Sequence, residues 1–321
     1  MILKFYYIDY LDLPLGIHDV KYKDLYLLKY DIVELFLNSE EYIYLVEVDL
    51  NDPETSFEKC KQEGFRCSRI NILEKYSLLD LSTYYNIGVK KVIIDSSDSI
   101  DSQNNRFIKF INALNNSDIE LYFSSHFINN ASSNDNIDLL NLYFIYGKKM
   151  SYDESAIDFA SKYGNIKSLN WWLSSGLELK YSEKSLEYFY CEEEDAVKIL
   201  SWWFESGLEI KYNDKFIENL SMRKYLKALD KLVSYGFKIL CTDKILDHAS
   251  SHGYCKVLDW WLKSGIELSY TEQSIDSAIS LRNEKILKWW INSGLELKYT
   301  KAFVLSSQEW LKQIDILDYF K

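Results

Sequence analysis

Proline is nearly missing from this chain, with two in 321 residues. Proline breaks helix interiors, so its scarcity suits a helical chain with short connections. Cysteine is scarce and odd in number: Cys60, Cys67, Cys191, Cys241 and Cys255 are scattered and do not form a disulfide framework, which points to a reducing compartment. No apolar run approaches transmembrane length, and the start MILKFYYIDY lacks a basic region followed by a small-residue cleavage site. A cytoplasmic location with no membrane partner is therefore expected. No basic stripe is visible either, and the formal net charge is -12. Phosphate binding needs such a stripe, so nucleic acid is excluded here as the main partner, and the charge is read as serving solubility.

Catalytic and metal-binding signatures are also lacking. Neither G-x-x-x-x-G-K-[ST], G-x-G-x-x-G nor G-x-S-x-G occurs. Cys60 and Cys67 have no second pair. His248 and His252 stand one helical turn apart with Cys255 following, but a structural zinc site needs four ligands, and no fourth is close in sequence. No metal, no cofactor and no enzymatic activity are expected.

What the chain does have is a phrase that returns. YGNIKSLNWWLSSGLELKY is followed by DAVKILSWWFESGLEIKY, YCKVLDWWLKSGIELSY and NEKILKWWINSGLELKY, with YLKALDKLVSYGFKILC as a degenerate copy. Their glycines, Gly176, Gly207, Gly236, Gly265 and Gly294, are 31, 29, 29 and 29 residues apart. Stepping backwards reaches Gly147, Ser117 and Gly88. A fixed period of this length marks a repeat array. Apolar residues travel with the marker. Leu81, Phe110, Leu140, Leu169, Leu200, Leu229, Leu258 and Leu287 stand seven before it; Leu78, Phe107, Ile137, Ile166, Val197, Leu226 and Cys255 stand ten before, with Glu284 the exception. The spacing predicts one face of a helix that ends at a left-handed glycine.

A second helix is predicted ahead of it in each unit. Asp153, Ser182, Asn213, Thr242, Thr271 and Thr300 are suited to accept from the free amides of a helix start. Apolar or small pairs follow at helical spacing, such as Ile157/Ala160, Leu246/Ala249 and Ile275/Ala278. Carboxylates near these starts recur once per unit, which speaks for architecture rather than catalysis.

On Gly164, Ile166, Leu169, Trp172, Leu173 and Gly176, and again on Gly253, Leu258, Trp261, Leu262 and Gly265, the chain resembles the ankyrin-repeat family, in the shortened, tryptophan-rich form of giant DNA viruses. It departs from that family in lacking the T-P-L-H start and four residues of the period. The resemblance implies a mainly α fold: an α-solenoid of short, about 29-residue helix-turn-helix repeats over residues 76–321, about eight of them plus a truncated carboxy-terminal cap. Residues 1–75 do not follow the period and are read as a small α+β cap. Within them 22–38 has helical spacing, while 41–50 and 65–73 read as strands. The polar stretch SSDSIDSQNN fits a degenerate repeat or an inserted loop.

Two candidate partner-binding features stand out. The first tryptophan of each pair, Trp171, Trp202, Trp260 and Trp289, forms an edge series that is either a row of anchors or packing between repeats; the constant spacing favours packing. Glu192, Glu193, Glu194 and Asp195 coincide with two extra residues and are expected in a solvent-facing loop between helices. The resemblance implies a monomeric, non-enzymatic scaffold that binds protein partners by exposed helix-one and finger residues, in host cytoplasm if the chain is viral. The alternative is a ubiquitin-ligase adaptor acting through the leucine–proline opening of residues 12–28.

Overall fold

The computed structural model describes residues 2–9, 15–19, 28–29, 34–37, 42–59, 65–95, 105–147 and 152–320. Cys60, the stretch 96–104 and most of 12–28 lie outside the described residues. The described chain is mainly helical and divides into two compact units, Met1–Ala156 and Ile157–Lys321.

In the first unit, strands β1 (Ile2–Asp9), β2 (Gly16–Asp19), β3 (Leu28–Lys29), β4 (Glu34–Leu37), β5 (Tyr42–Asp49), β6 (Phe57–Lys59), β7 (Phe65–Cys67) and β8 (Arg69–Ser77) come first. Helix α1 (Leu81–Ile87), strand β9 (Lys91–Ile94), helix α2 (Asn105–Asn115), strand β10 (Glu120–Phe123) and helices α3 (Ser125–Ser133) and α4 (Ile137–Tyr146) follow. One sheet has the order β2-β8-β5-β1-β3, with β5 antiparallel to both β1 and β8. Residues Ile43, Tyr44, Leu45 and Val46 of β5 are buried in succession, so both faces of this central strand are covered. Tyr44, Val46, Val48, Cys67, Ile70 and Ile72 form its core. A second sheet, β10-β9-β4, is parallel, with α2 as the crossover between β9 and β10.

The strands expected at 41–50 and 65–73 are present, but two other expectations fail. Residues 28–29 and 34–37, within the segment read as helical, are strands, and β4 pairs with β9. The stretch taken as the earliest helix pairs contains β9 and β10, so strand structure extends to Phe123. Short apolar runs fit a buried strand or a helix turn equally well, and sheet pairing decides between them.

The second unit takes in α5 (Ser155–Lys162), which straddles its boundary, α6 (Ile166–Ser174), α7 (Lys184–Glu187), α8 (Glu193–Glu205), α9 (Asp214–Met222), α10 (Leu226–Ser234), α11 (Asp243–Ser251) and α12 (Cys255–Lys263). α13 (Gln273–Ser280), α14 (Glu284–Ser293), α15 (Lys301–Ser306), α16 (Gln308–Gln313) and a 3-10 turn at Leu317–Phe320 complete it. The first helices of successive units pack in series, α7 on α9, α9 on α11, α11 on α13 and α13 on α15. This series is compatible with a repeat solenoid.

Gly176, Gly207, Gly236, Gly265 and Gly294 adopt φ of 72 to 75°, the left-handed stop that was expected. Gly147 does not: its φ is −71°. The buried face also sits slightly differently. Positions eight, seven and four before the glycine are fully covered, as in Val257, Leu258 and Trp261, whereas position ten is half-buried or exposed from Ile137 onward and buried only at Leu78 and Phe107.

Each residue of the phrase now has a task. The second tryptophan is buried and donates its indole N–H back to a helix-one serine: Trp203 to Ser161 (2.9 Å), Trp261 to Ser221 (3.2 Å) and Trp290 to Ser250 (3.0 Å). A buried indole contributes on the order of 4–6 kcal/mol before conformational entropy is subtracted. The serine ahead of the glycine closes the helix. Ser264 Oγ–H donates to the Trp261 carbonyl (2.6 Å) and accepts from the Ile266 amide (3.2 Å), and Ser175, Ser206 and Ser293 repeat this. In the linker, Tyr270 O–H donates to the Glu296 carbonyl of the next unit, and Lys298 Nζ returns to the Tyr270 carbonyl and ring. Tyr181, Glu209 and Lys211 make the same clasp.

Candidate interaction surface

Between the two helices of four units the chain turns sharply through a left-handed residue, while the turn from α7 to α8 uses none. Gly164 and Gly253 fill this position at φ 83 and 76°, but Lys224 (φ 65°) and Arg282 (φ 51°) fill it in the neighbouring units. A residue with a Cβ costs roughly 1–2 kcal/mol there.

The side chains around these turns form a continuous track of rings and cations. Phe159 meets Tyr163 edge-on at 6.5 Å; Tyr163 stacks on Tyr190 at 5.2 Å; Tyr190 touches Tyr188 at 4.9 Å. Arg223 then lies between Tyr188 and Tyr225, its guanidinium carbon 5.0 and 4.9 Å from the two ring centres. Its Nη1 donates to the Tyr188 hydroxyl and its Nη2 to the Tyr225 hydroxyl, both at 2.6 Å, while Tyr225 O–H donates to the Cys191 carbonyl (2.5 Å). One unit further on, Lys224 Nζ sits 4.6 Å from the centre of Tyr254, which adjoins the stacked pair His248 and His252, 4.0 Å apart. Phe159, Tyr163 and Tyr190 are exposed by 37%, 47% and 60%.

Every side-chain acceptor around Arg223 is a neutral oxygen, and its buried Nε–H has no acceptor. Burial opposes the charge, yet the bonds to Tyr225 and Tyr188 hold the Arg223 pKa above the ordinary arginine value. Burial, with His252 alongside, holds the His248 pKa below the usual histidine value. The track thus presents aromatic faces and positive charge without a carboxylate to neutralise it, a combination suited to gripping a partner by ring and cation contacts.

The edge tryptophans are half-buried and lie elsewhere. Trp202 donates its N–H to Asn170 (2.8 Å), Trp260 to Asp230 and Trp289 to Asp259 (both 2.7 Å), each bond joining one helix two to the preceding one. Trp171 meets Trp172 edge-on at 5.1 Å.

The acidic knuckle is not a loop. Glu193, Glu194 and Asp195 form the first turn of α8, with Glu192 as its cap residue, because the two extra residues lengthen helix two while helix one shrinks to the four residues of α7. Three carboxylates at a helix N-terminus favour this choice. Glu194 pairs with Lys227 (2.7 Å), Asp195 with Lys198 (2.6 Å), and Glu193 accepts from the Lys227 amide (2.7 Å).

Sequence reasoning missed the turn track. Its signal was an aromatic or histidine seventeen residues before the glycine in three units, Phe159, Tyr190 and His248, which falls outside the buried stripe. Among the described residues no three His, Cys, Asp or Glu side chains gather to hold a metal, and no helix is long and apolar enough to cross a membrane. A groove of about 330 Å³ is lined by Tyr299, Lys301, Val304, Leu305, Gln308, Leu317 and Phe320. No protein-family model matches this chain, and comparison with curated proteins finds no match.

Proposed function

We propose that this chain is a non-enzymatic scaffold of ankyrin-like repeats that binds a protein partner along its inter-helix turns. The observation that carries the reading is the Phe159-to-His252 track, which crosses four repeats and keeps aromatic faces and an uncompensated guanidinium at the surface. Binding energy at such a surface concentrates in a few tyrosine and arginine anchors. The resemblance to giant-virus ankyrin proteins extends the proposal to host or viral proteins met in a cytoplasm. The edge tryptophans serve repeat packing in this reading, since each of Trp202, Trp260 and Trp289 spends its only donor on the neighbouring helix.

The test places a photo-reactive residue at Tyr190 in one protein and at Val233, exposed on a helix two, in another. Exposed to cytosolic extract, the first should capture a protein that the second does not, and Arg223→Ala should abolish the capture. Capture at Val233 alone, or equally at both positions, would refute the turn edge as the binding face.

A further inference from the structure

Aligning the five units on their glycines brings one lysine to the same place in each: Lys167, Lys198, Lys227, Lys256 and Lys285, nine residues before the marker and all exposed. In α6, α10, α12 and α14 this lysine is the second residue of the helix, against the positive end of the backbone dipole. A cation there costs about 0.3–1 kcal/mol, so its return in unit after unit opposes local stability. Two of the row are neutralised, Lys198 by Asp195 and Lys227 by Glu194. Lys167, Lys256 and Lys285 have no carboxylate in ion-pair reach among the described residues, nor do Arg223, Lys224 and Arg282 at the adjoining turns. The row and the turns belong to one edge, because residues 191–194 reach Arg223 through the Cys191 carbonyl (3.5 Å) and Lys227 through Glu193 and Glu194.

We infer that the partner segment bound at this edge is an extended acidic peptide, its carboxylates set on Arg223, Lys224, Lys256, Arg282 and Lys285. The inference rests on the scaffold reading and adds the chemistry of the ligand. Packed helices lie 8–10 Å apart, and an extended chain of polyproline II form advances about 3.1 Å per residue with three residues per turn, so one cationic place per unit meets every third side chain of the peptide. Two cationic residues, Lys224 and Arg282, hold strained left-handed backbone where their neighbours use glycine, which fits side chains kept for their charge. A nucleic acid strand fits less well. Its unbroken phosphate charge would be carried onto Glu192 to Asp195 at the same edge, where a peptide can place an uncharged residue.

Fluorescence anisotropy with the full chain tests this. The probes are a labelled twelve-residue peptide of Glu-Ser-Ala triplets, its Gln-Ser-Ala counterpart and a twelve-nucleotide thymidine oligomer. Lys256→Glu with Lys285→Glu reverses two exposed charges of the edge, and Lys238→Glu reverses one on an exposed linker residue. The glutamate peptide should bind more tightly than the other two probes, weaken as salt rises, and lose at least tenfold in affinity to the edge variant and less than twofold to the linker variant. Absence of binding, equal affinity for the glutamine peptide, equal loss in both variants, or tighter binding of the oligomer would each overturn the inference. A protein captured through position 190 whose binding survives the edge variant unchanged would sink the acidic ligand and leave the scaffold reading standing.

Discussion

Removing the carboxylate of Asp247 should loosen the joint between two adjacent units. This side chain is buried in α11 and reaches into the next unit: Oδ1 accepts from the Thr271 amide (3.0 Å) and the Ser274 hydroxyl, and Oδ2 accepts from the Thr271 hydroxyl (2.6 Å). Hydrogen bonds to a charged acceptor are worth about 1.5–3 kcal/mol, and a stranded buried amide adds its own penalty. The two hydroxyls can rotate toward other acceptors, so Asp247→Ala should cost roughly 3–5 kcal/mol rather than the full sum. The same joint recurs 24 residues apart. Asp158 holds the Ser182 amide (2.9 Å) and hydroxyl (2.5 Å), Asp276 the Thr300 amide (2.8 Å), and Glu218 the Thr242 hydroxyl (2.8 Å). Asp276 and Glu218, with one of these bonds each, should cost about 1.5–3 kcal/mol, less than Asp247. Units packed in series can open one at a time, so the assay is hydrogen exchange at the Thr271, Ser182 and Thr300 amides, with urea titration as the global measure. Four equal losses below about 0.5 kcal/mol would refute the idea that these carboxylates join the units.

Backbone strain gives a pair of opposite signs. Gly164→Ala places a Cβ 3.1 Å from that of Cys191 at φ 83° and should lower stability by roughly 1–3 kcal/mol, whereas Arg282→Gly relieves φ 51° and should raise it by up to about 1 kcal/mol. Thermal midpoints of the two variants read this directly, and the second should weaken the acidic peptide while it stabilises the fold. Because the folded-state pKa of His248 lies below its unfolded value, its contribution is present above the ordinary histidine pKa and is lost as pH falls through the folded value. Urea midpoints should therefore drop on moving from pH 7.5 to pH 5.5, and by less in His252→Asn, which removes the second, like-charged ring. Burial pushes the Cys191 and Cys241 thiols up to about 11, so a thiol reagent at pH 7.5 should label them slowly in the folded chain and faster once urea unfolds it. Equal rates in both states would contradict that burial.

Much of the second unit was legible in the sequence because its design is periodic. The left-handed stop at Gly176 to Gly294, the capping role of Asp153, Ser182, Asn213 and Thr271, and the burial of Leu258 with Trp261 all follow from spacing and residue type. Local rules act over one or two helical turns, and a repeat shows the same rule many times. What one sequence could not supply was which distant groups those repeats set side by side. The segment KVII pairs as β9 between β4 and β10 only through partners far along the chain, so helix-like spacing was misleading at residues 34–37. Glu193 to Asp195 became a helix start because α7 gave up its last turn.

The candidate site divides in the same way. Composition alone set the absence of a contiguous basic run and the negative net charge, and both remain true of the chain. Tertiary structure decided that Arg223 sits between two tyrosines from different units. Charge is a sum over residues and can be read from a list, but a surface is made by neighbours in space. Stacking the units converts a sparse, periodic signal into a continuous edge.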